Sequence, residues 1–466
     1  MSDLPDTASD LLDAYGRCEL DPADVVDEHL ARIDATEPAI NAFRTVDRDG
    51  ARTAARESAR RWARREPAGA LDGVPVSIKD IVAVQGWATS EGSATVDLVP
   101  ATEDAPPIAR LREAGAVLLG QTTTPEFGWK GMTDSPLTGV TRNPWDLDRT
   151  PGGSSGGAGA SLAAGVGALA FGTDGGGSIR IPASYCGLVG LKPSFGRVPQ
   201  HPVDSPYVTL VAGGPLARTV ADAALMLGVL ARPDSRDWYS LPHDDRDWRA
   251  VLDDGVGGLR IALSTDLGGA RADPAVVAAV DAAAGWLDDA GAVVDVVGPV
   301  FEPLRPPFES YWKAGFAARL RSVPEDRHDL LDPGFRALAT EGLDVGLEAY
   351  YAAIGARVRL AAQLRAFHER HDVLVTPTMP TPPPPVETVY HSPGFDRWEQ
   401  AVPFTVPFNL TGQPAGSMPC GLSSEGLPIG VQLVATHHRE DLVLRAMRVM
   451  ETASPVSATA GVPGWG

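Results

Sequence analysis

The sequence predicts an α/β protein built as one large domain. Three observations carry that expectation. Helix-patterned segments are followed by short, wholly apolar runs, as where Ile108–Ala114 leads through Gly115 into Ala116–Gly120, the order of elements expected of α/β sheets. The chain of 466 residues, 44% of them hydrophobic, can bury a substantial core. At about 150 residues per domain the length would allow roughly three domains, yet no linker-like tract or internal repeat divides it.

Ser9 and Asp21-Pro22 read as helix starts, and Val25, Val26, His29, Leu30 and Ile33 recur at helical spacing, so residues 9–65 are expected to be helical. Within them Arg52–Arg65 is a strongly charged, solvated helix. Val74–Ile78 is a short apolar strand ending at Lys79-Asp80. From Thr150 to Gly190 glycine and serine become dense. The most apolar run, Ala158–Gly172, lies there; it is too short to span a bilayer, is rich in small residues, and reads as a buried helix. A helix around Val220–Leu227 follows, then a polar connector over Trp238–Gly257. Next come a strand at Leu259–Leu263, a helix at Pro274–Ala290 and a strand at Ala292–Val297. Residues 300–370 are mostly helical by pattern. Val373–Val375 is a strand running into Pro377–Pro385, an ordered loop; Gly430–Val434 is a strand and Glu440–Glu451 a helix.

Charge narrows the function. Forty Lys and Arg stand against sixty Asp and Glu, a formal charge of −20, which argues against binding DNA, RNA or an anionic membrane surface. Only four of the cations are lysines, Lys79, Lys130, Lys192 and Lys313; a GC-rich genome or a salty cytoplasm would produce that bias. Three dispersed cysteines, Cys18, Cys186 and Cys420, form neither a disulfide framework nor a metal-ligand spacing, and fit a reduced, cytoplasmic compartment. The acidic N-terminus has no apolar core of a secretory signal.

The chemistry concentrates in two glycine-framed serines: Ser154 in Pro151–Gly157 and Ser178 in Gly172–Arg180. Glycine lets the backbone adopt left-handed conformations and lets a substrate approach main-chain N–H groups. Successive amides at Gly175, Gly176, Gly177 and Ser178 could converge on one oxygen as an oxyanion hole, although phosphate binding would use similar geometry. Serine needs a base. None of the nine histidines lies in a recognisable motif, and neither serine sits in a G-x-S-x-G elbow. Lys79 closes an apolar strand whose burial would lower its pKa toward neutrality; a salt bridge to a carboxylate such as Asp80 is the competing role.

These segments together resemble the amidase signature family, in its general bacterial and archaeal amidase form. The resemblance rests on Leu71–Asp80, Arg142–Asp146, Gly152–Gly157, Gly172–Arg180, Cys186–Pro193, Gly214–Asp222 and Phe408–Pro414, with Lys79 and Ser154 75 residues apart and Ser154 and Ser178 24 apart. It extends from about residue 20 to 450 and is thinnest between about 230 and 370. It implies a mixed β-sheet covered by helices on both faces. The single amidase domain would comprise a helical arm over about 1–68, a signature core over about 70–230 and a remainder over about 255–455. It further implies a triad of Ser178 as nucleophile, Ser154 as bridge and Lys79 as base, with a cis peptide at Gly153–Ser154, no cofactor and no metal. Ser155 as the bridge misses the family spacing by one residue. Gly175 stands where relatives often carry a larger residue; only its amide serves the hole, so no loss is expected.

Asp174 and Arg180 are expected to orient the hole or to form a purely structural ion pair, and Thr173 to support the site. Gly128–Thr133 matches a loop lining the acyl pocket in relatives, so Gly128 and Met132 join Ser154 as substrate-binding candidates. Asp204–Tyr207 is a second such stretch, whereas Phe127, Trp129 and Met132 fit the core as well as a pocket. Within the family the rival is the glutaminase subunit of a Glu-tRNA amidotransferase, whose patterns differ from Thr122–Ser135 and Phe395–Glu399. Outside it, Gly165-x-Gly167-x-x-Ala170 echoes a dinucleotide fingerprint but lies in a small-residue helix pattern with no P-loop elsewhere. The expected partners are a small-molecule amide and, in a homodimer, a second copy of the chain.

Overall fold

Eleven strands hydrogen-bond into one mixed sheet in the computed structural model, which describes residues 4–202, 207, 209–388, 402–456 and 462. In chain order the strands are β1 (Phe43–Val46), β2 (Pro75–Lys79), β3 (Val117–Thr122), the small hairpin β4 (Asp134–Ser135) and β5 (Gly139–Val140), β6 (Leu169–Asp174), β7 (Val189–Lys192), β8 (Ala212–Ala217), β9 (Arg260–Leu263), β10 (Val293–Val296), β11 (Val373–Pro377), β12 (Ala415–Leu422) and β13 (Pro428–Ala435). Their order across the large sheet is β1-β3-β2-β6-β8-β7-β12-β13-β11-β9-β10. β2 lies parallel to both β3 and β6, whereas β6 meets β8 antiparallel. Lys79 ends β2 and Asp174 ends β6, so the carboxyl ends of two adjacent parallel strands open on one crevice, where α/β sheets bind ligands.

Burial follows from the sequence pattern. All five residues of β2 and all five of β11 are buried, as continuous apolar strands covered on both faces should be. Along β11, Val373 and Val375 join one hydrophobic cluster and Leu374 the opposite one. The first cluster holds helices Val220–Leu230, Pro274–Asp289 and Glu440–Ala453; the second is rich in aromatic residues from Arg305–Ser322 and Pro333–Gly342. The α/β class with helices on both faces is therefore the architecture of this chain. Among the described residues no helix is long and apolar enough to cross a membrane.

Two expectations change. Residues 9–65 are helical at Ala8–Gly16, Pro22–Ile40 and Arg48–Ala63, but β1 interrupts them; Asn41, left-handed at φ 52°, ends the second helix and turns the chain into that strand. The Ala158–Gly172 run is not one helix. It stops at Ala163, turns through Gly165 and Gly167 at φ 78° and 72°, and re-enters the sheet as β6. The Asp204–Pro206 part of the second pocket stretch and Phe395–Glu399 lie outside the described residues.

Candidate active site

Lys79 is wholly buried at the end of β2, and its Nζ stands 2.7 Å from Ser154 Oγ and 3.0 Å from Thr173 Oγ1. Burial pushes its pKa down to about 7, with the Asp174 carboxylate pulling the other way. The competing salt bridge does not form: Asp80 pairs with Arg44 Nε at 2.6 Å and accepts the Ser90 N–H at 3.1 Å. Ser154 follows a cis peptide after Gly153. Gly153 has to be glycine, because a Cβ there would stand 2.6 Å from the Met132 carbonyl oxygen. Ser155 turns away from Lys79; its Oγ donates to the Thr173 carbonyl at 3.2 Å.

Ser178 lies on the next loop, with its carbonyl accepting the Ser155 N–H at 3.2 Å, so the two serine segments are tied by their backbones. Asp174 and Arg180, neither of them exposed, lock this loop. Asp174 accepts from Arg180 Nε and Nη2 at 2.9 Å each, from Gly177 N at 2.7 Å and from Asn409 Nδ2 at 2.9 Å. Burial alone would raise the Asp174 carboxyl, but the Arg180 guanidinium holds it below the usual range. Arg180 reaches on to Thr405 O at 2.9 Å, Gln432 Oε1 at 2.6 Å and Asn409 Oδ1 at 2.6 Å. Thr405 donates to Gly176 O at 2.6 Å. Charge, backbone and amide side chains thus fix the loop from three sides.

That locking amends the expected oxyanion hole. The Gly177 N–H is donated to Asp174 at 2.7 Å, so Gly177, held at φ 127°, serves as an anchor of the loop. A cavity of about 330 Å³ opens on Ser154, Thr173, Gly175 and Ser178, walled by Phe127, Gly128, Phe171, Tyr207, Val211 and Trp312. A Cβ on Gly175 would come within 3.2 Å of Val211 and 3.3 Å of Trp312, which fill the space a larger residue would take. Gly128 lines this cavity next to Phe127. Met132 does not line this cavity: it packs in the aromatic cluster with Trp129 and Ile181, while its backbone abuts Gly153. Trp129 is likewise buried, and Phe127 belongs to the wall.

Sequence reasoning assigns no role to Thr405, Gln432, Glu91, Trp312 or Arg319. Asn409 lies in the Phe408–Pro414 segment, the one signal that pointed to it. The others reach the site over separations as long as the 252 residues between Arg180 and Gln432.

Known proteins resemble this chain in sequence and fold. Residues 24–444 match the family model described as Amidase. Over 460 residues the chain is 36% identical to an acylamidase of Rhodococcus erythropolis, covering 96% of this chain and 95% of that one. It is also 36% identical to a glutamyl-tRNA(Gln) amidotransferase subunit of Roseiflexus sp. (strain RS-1), covering 94% of each. The crystal structure of a bacterial aryl acylamidase of the amidase signature enzymes superposes with a TM-score of 0.90 at 29% identity, covering 98% of both chains.

Proposed function

The chain belongs to the amidase signature family and hydrolyses amide C–N bonds; from that premise we propose that Ser178 is its nucleophile, Ser154 the proton bridge and Lys79 the base. The observation that carries this reading is a buried lysine, brought down to about 7, whose Nζ lies 2.7 Å from a serine hydroxyl on the wall of the Ser178 cavity. Neutral Lys79 takes the Ser154 hydroxyl proton as Ser154 takes that of Ser178. The Ser178 oxygen bonds to the amide carbon, and the oxyanion is held by the amides of Gly175, Gly176 and Ser178. Ser154 then protonates the leaving nitrogen, regaining a proton from Lys79, as the C–N bond breaks. Water releases the acyl group by the same relay, giving a carboxylate and ammonia or an amine. Asp174 and Arg180 act on the hole by fixing its loop, Thr173 by holding Lys79, and Gly128 by bounding the cavity beside Ser154.

Hydrolysis of a panel of aryl, alkyl and amino-acid amides and the matching esters tests this, with Lys79→Ala and Ser178→Ala as controls. Near wild-type hydrolysis by either folded variant would overturn the assignment. The amidotransferase relatives raise a second reading, the glutaminase subunit of a Glu-tRNA amidotransferase; glutaminase activity that appears only with a partner protein would favour it. The free cysteines and the −20 charge support a cytoplasmic protein with no nucleic-acid partner. A second copy of the chain is the partner to look for by light scattering.

A further inference from the structure

A second recess shares no lining residue with the catalytic cavity. It holds about 450 Å³ and opens between helix Pro106–Glu113, the end of helix Val220–Leu230 and the segment 246–249. Four arginines line it, Arg110, Arg232, Arg246 and Arg249, against two carboxylates, Glu113 and Asp247. In a chain of formal charge −20 this local surplus of cations is opposite in sign to the whole.

Both carboxylates are engaged. Glu113 is shared, with Oε1 accepting from Arg110 Nη2 and Oε2 from Arg232 Nη1 at 3.3 Å, so one negative charge faces two positive ones. Asp247 accepts the backbone N–H groups of Arg249 and Ala250 at 2.9 and 3.2 Å. Arg246 is neutralised by Asp244 and Asp441, at 2.9 and 2.7 Å, and lies 5.0 Å from the ring of the buried Trp248, so it serves as wall. Asp234, close enough to feel Arg110, is paired with Arg236 at 2.9 Å.

Three guanidiniums are left with donors to fill. Arg110 is half-buried, and its Nε is buried with no acceptor among the described residues. Arg232 shares its carboxylate with Arg110, and the Arg249 side chain makes no ion pair among the described residues. A buried donor without an acceptor costs free energy, which an anion in the recess would recover. Guanidiniums match phosphate oxygens in pairs. A phosphate group brings a charge of about −1.5 to −2 and three acceptor oxygens, which suits guanidiniums from three segments better than a monocarboxylate does. The overall charge repels an extended polyanion, so the ligand is small.

We propose that the recess framed by Arg110, Arg232 and Arg249 binds the phosphate group of a small molecule. The inference is independent of the assignment of Ser178 as nucleophile.

The test is isothermal titration calorimetry of the full chain with inorganic phosphate, adenosine monophosphate and acetate at constant ionic strength. Phosphate or its ester should bind saturably with a Kd of about 1 mM or tighter, and acetate should not. The tighter of the first two tells a free phosphate from a phosphate ester. Arg110→Gln should weaken binding by about 10- to 100-fold, the effect of losing a hydrogen bond to a charged group. Arg232→Gln, at an exposed residue, should weaken it by about threefold or more, and Glu113→Gln should tighten it by a similar factor by removing the competing carboxylate. A merely structural cluster would not give opposite signs at Arg232 and Glu113. Should Arg110→Gln fail to fold, the two exposed positions decide. Absence of saturable binding by both phosphate compounds, equal binding of acetate, or shifts in the same direction at Arg232 and Glu113 overturn the proposal. Ser178→Ala should bind as wild type does; binding lost in that variant would place the anion in the catalytic cavity and overturn the proposal as well.

Discussion

Two lysines of this chain, Lys79 at the end of β2 and Lys192 at the end of β7, are buried to the same degree and are both brought down to about 7 by burial. Their hydrogen-bond partners differ. Lys79 faces two hydroxyls, Ser154 and Thr173, next to a cavity. Lys192 donates to two backbone carbonyls, Pro193 at 3.0 Å and Gln413. A carbonyl has no proton to give, so lowering the pKa of Lys192 makes it titratable without making it a base. In the proposed relay the hydroxyl partner, more than the depressed pKa, is what sets Lys79 apart from Lys192.

The largest expected effect would break or establish that contrast. Lys79→Met should lower kcat by about 10³-fold or more with the fold retained by circular dichroism, whereas Lys192→Met should change kcat by less than about tenfold. Next in size is Asp174→Asn, which leaves the Arg180 guanidinium buried without its carboxylate. It should destabilise the protein by about 3–5 kcal/mol in denaturant unfolding. Smaller again is a pH effect on stability. Both lysines have native pKa values near 7 and unfolded values of about 10.4, so between those limits the unfolded chain binds more protons. The lysine contribution to stability therefore rises with pH through that window and falls away as pH drops toward 7. Lys192→Met should flatten the rise in unfolding free energy measured from about pH 7 to 10. The smallest effect is expected of Ser155→Ala. Its hydroxyl bonds to Thr173, not to Lys79, so the change should cost about 1 kcal/mol of stability and less than tenfold in kcat. Ser154→Ala should cost far more in kcat.

Much of this was legible in the sequence because it is written in local pattern. The run Val74–Ile78 announces β2 and places Lys79 at its end, and the glycine-framed serines announce the two loops. What stayed hidden is where small residues carry the structure. β8 (AGGPLA) and β12 (AGSMPCGL) are built mainly of small residues and lack the apolar run that marks a strand, because neighbours press on them: a Cβ on Gly214 would stand 2.2 Å from Leu191 O, and one on Gly416 2.2 Å from Met447 Sδ. The Ala158–Gly172 run hid a break for the same reason, its glycines fitting a helix and a turn alike. The residues that lock Arg180 and the approach of Arg232 to Glu113 depend on tertiary contacts between distant segments, which no periodicity encodes.

The central claim is that neutral Lys79, acting through Ser154, activates Ser178. It is tested most directly by the rate at which a fluorophosphonate labels the enzyme as a function of pH, with the labelled residue mapped by mass spectrometry. The account predicts a single adduct on Ser178. It forms at a rate that rises through about pH 7, falls at least about 10³-fold in Lys79→Met and persists in Lys192→Met. An adduct on another residue, or labelling of Ser178 that is undiminished without Lys79, would contradict it.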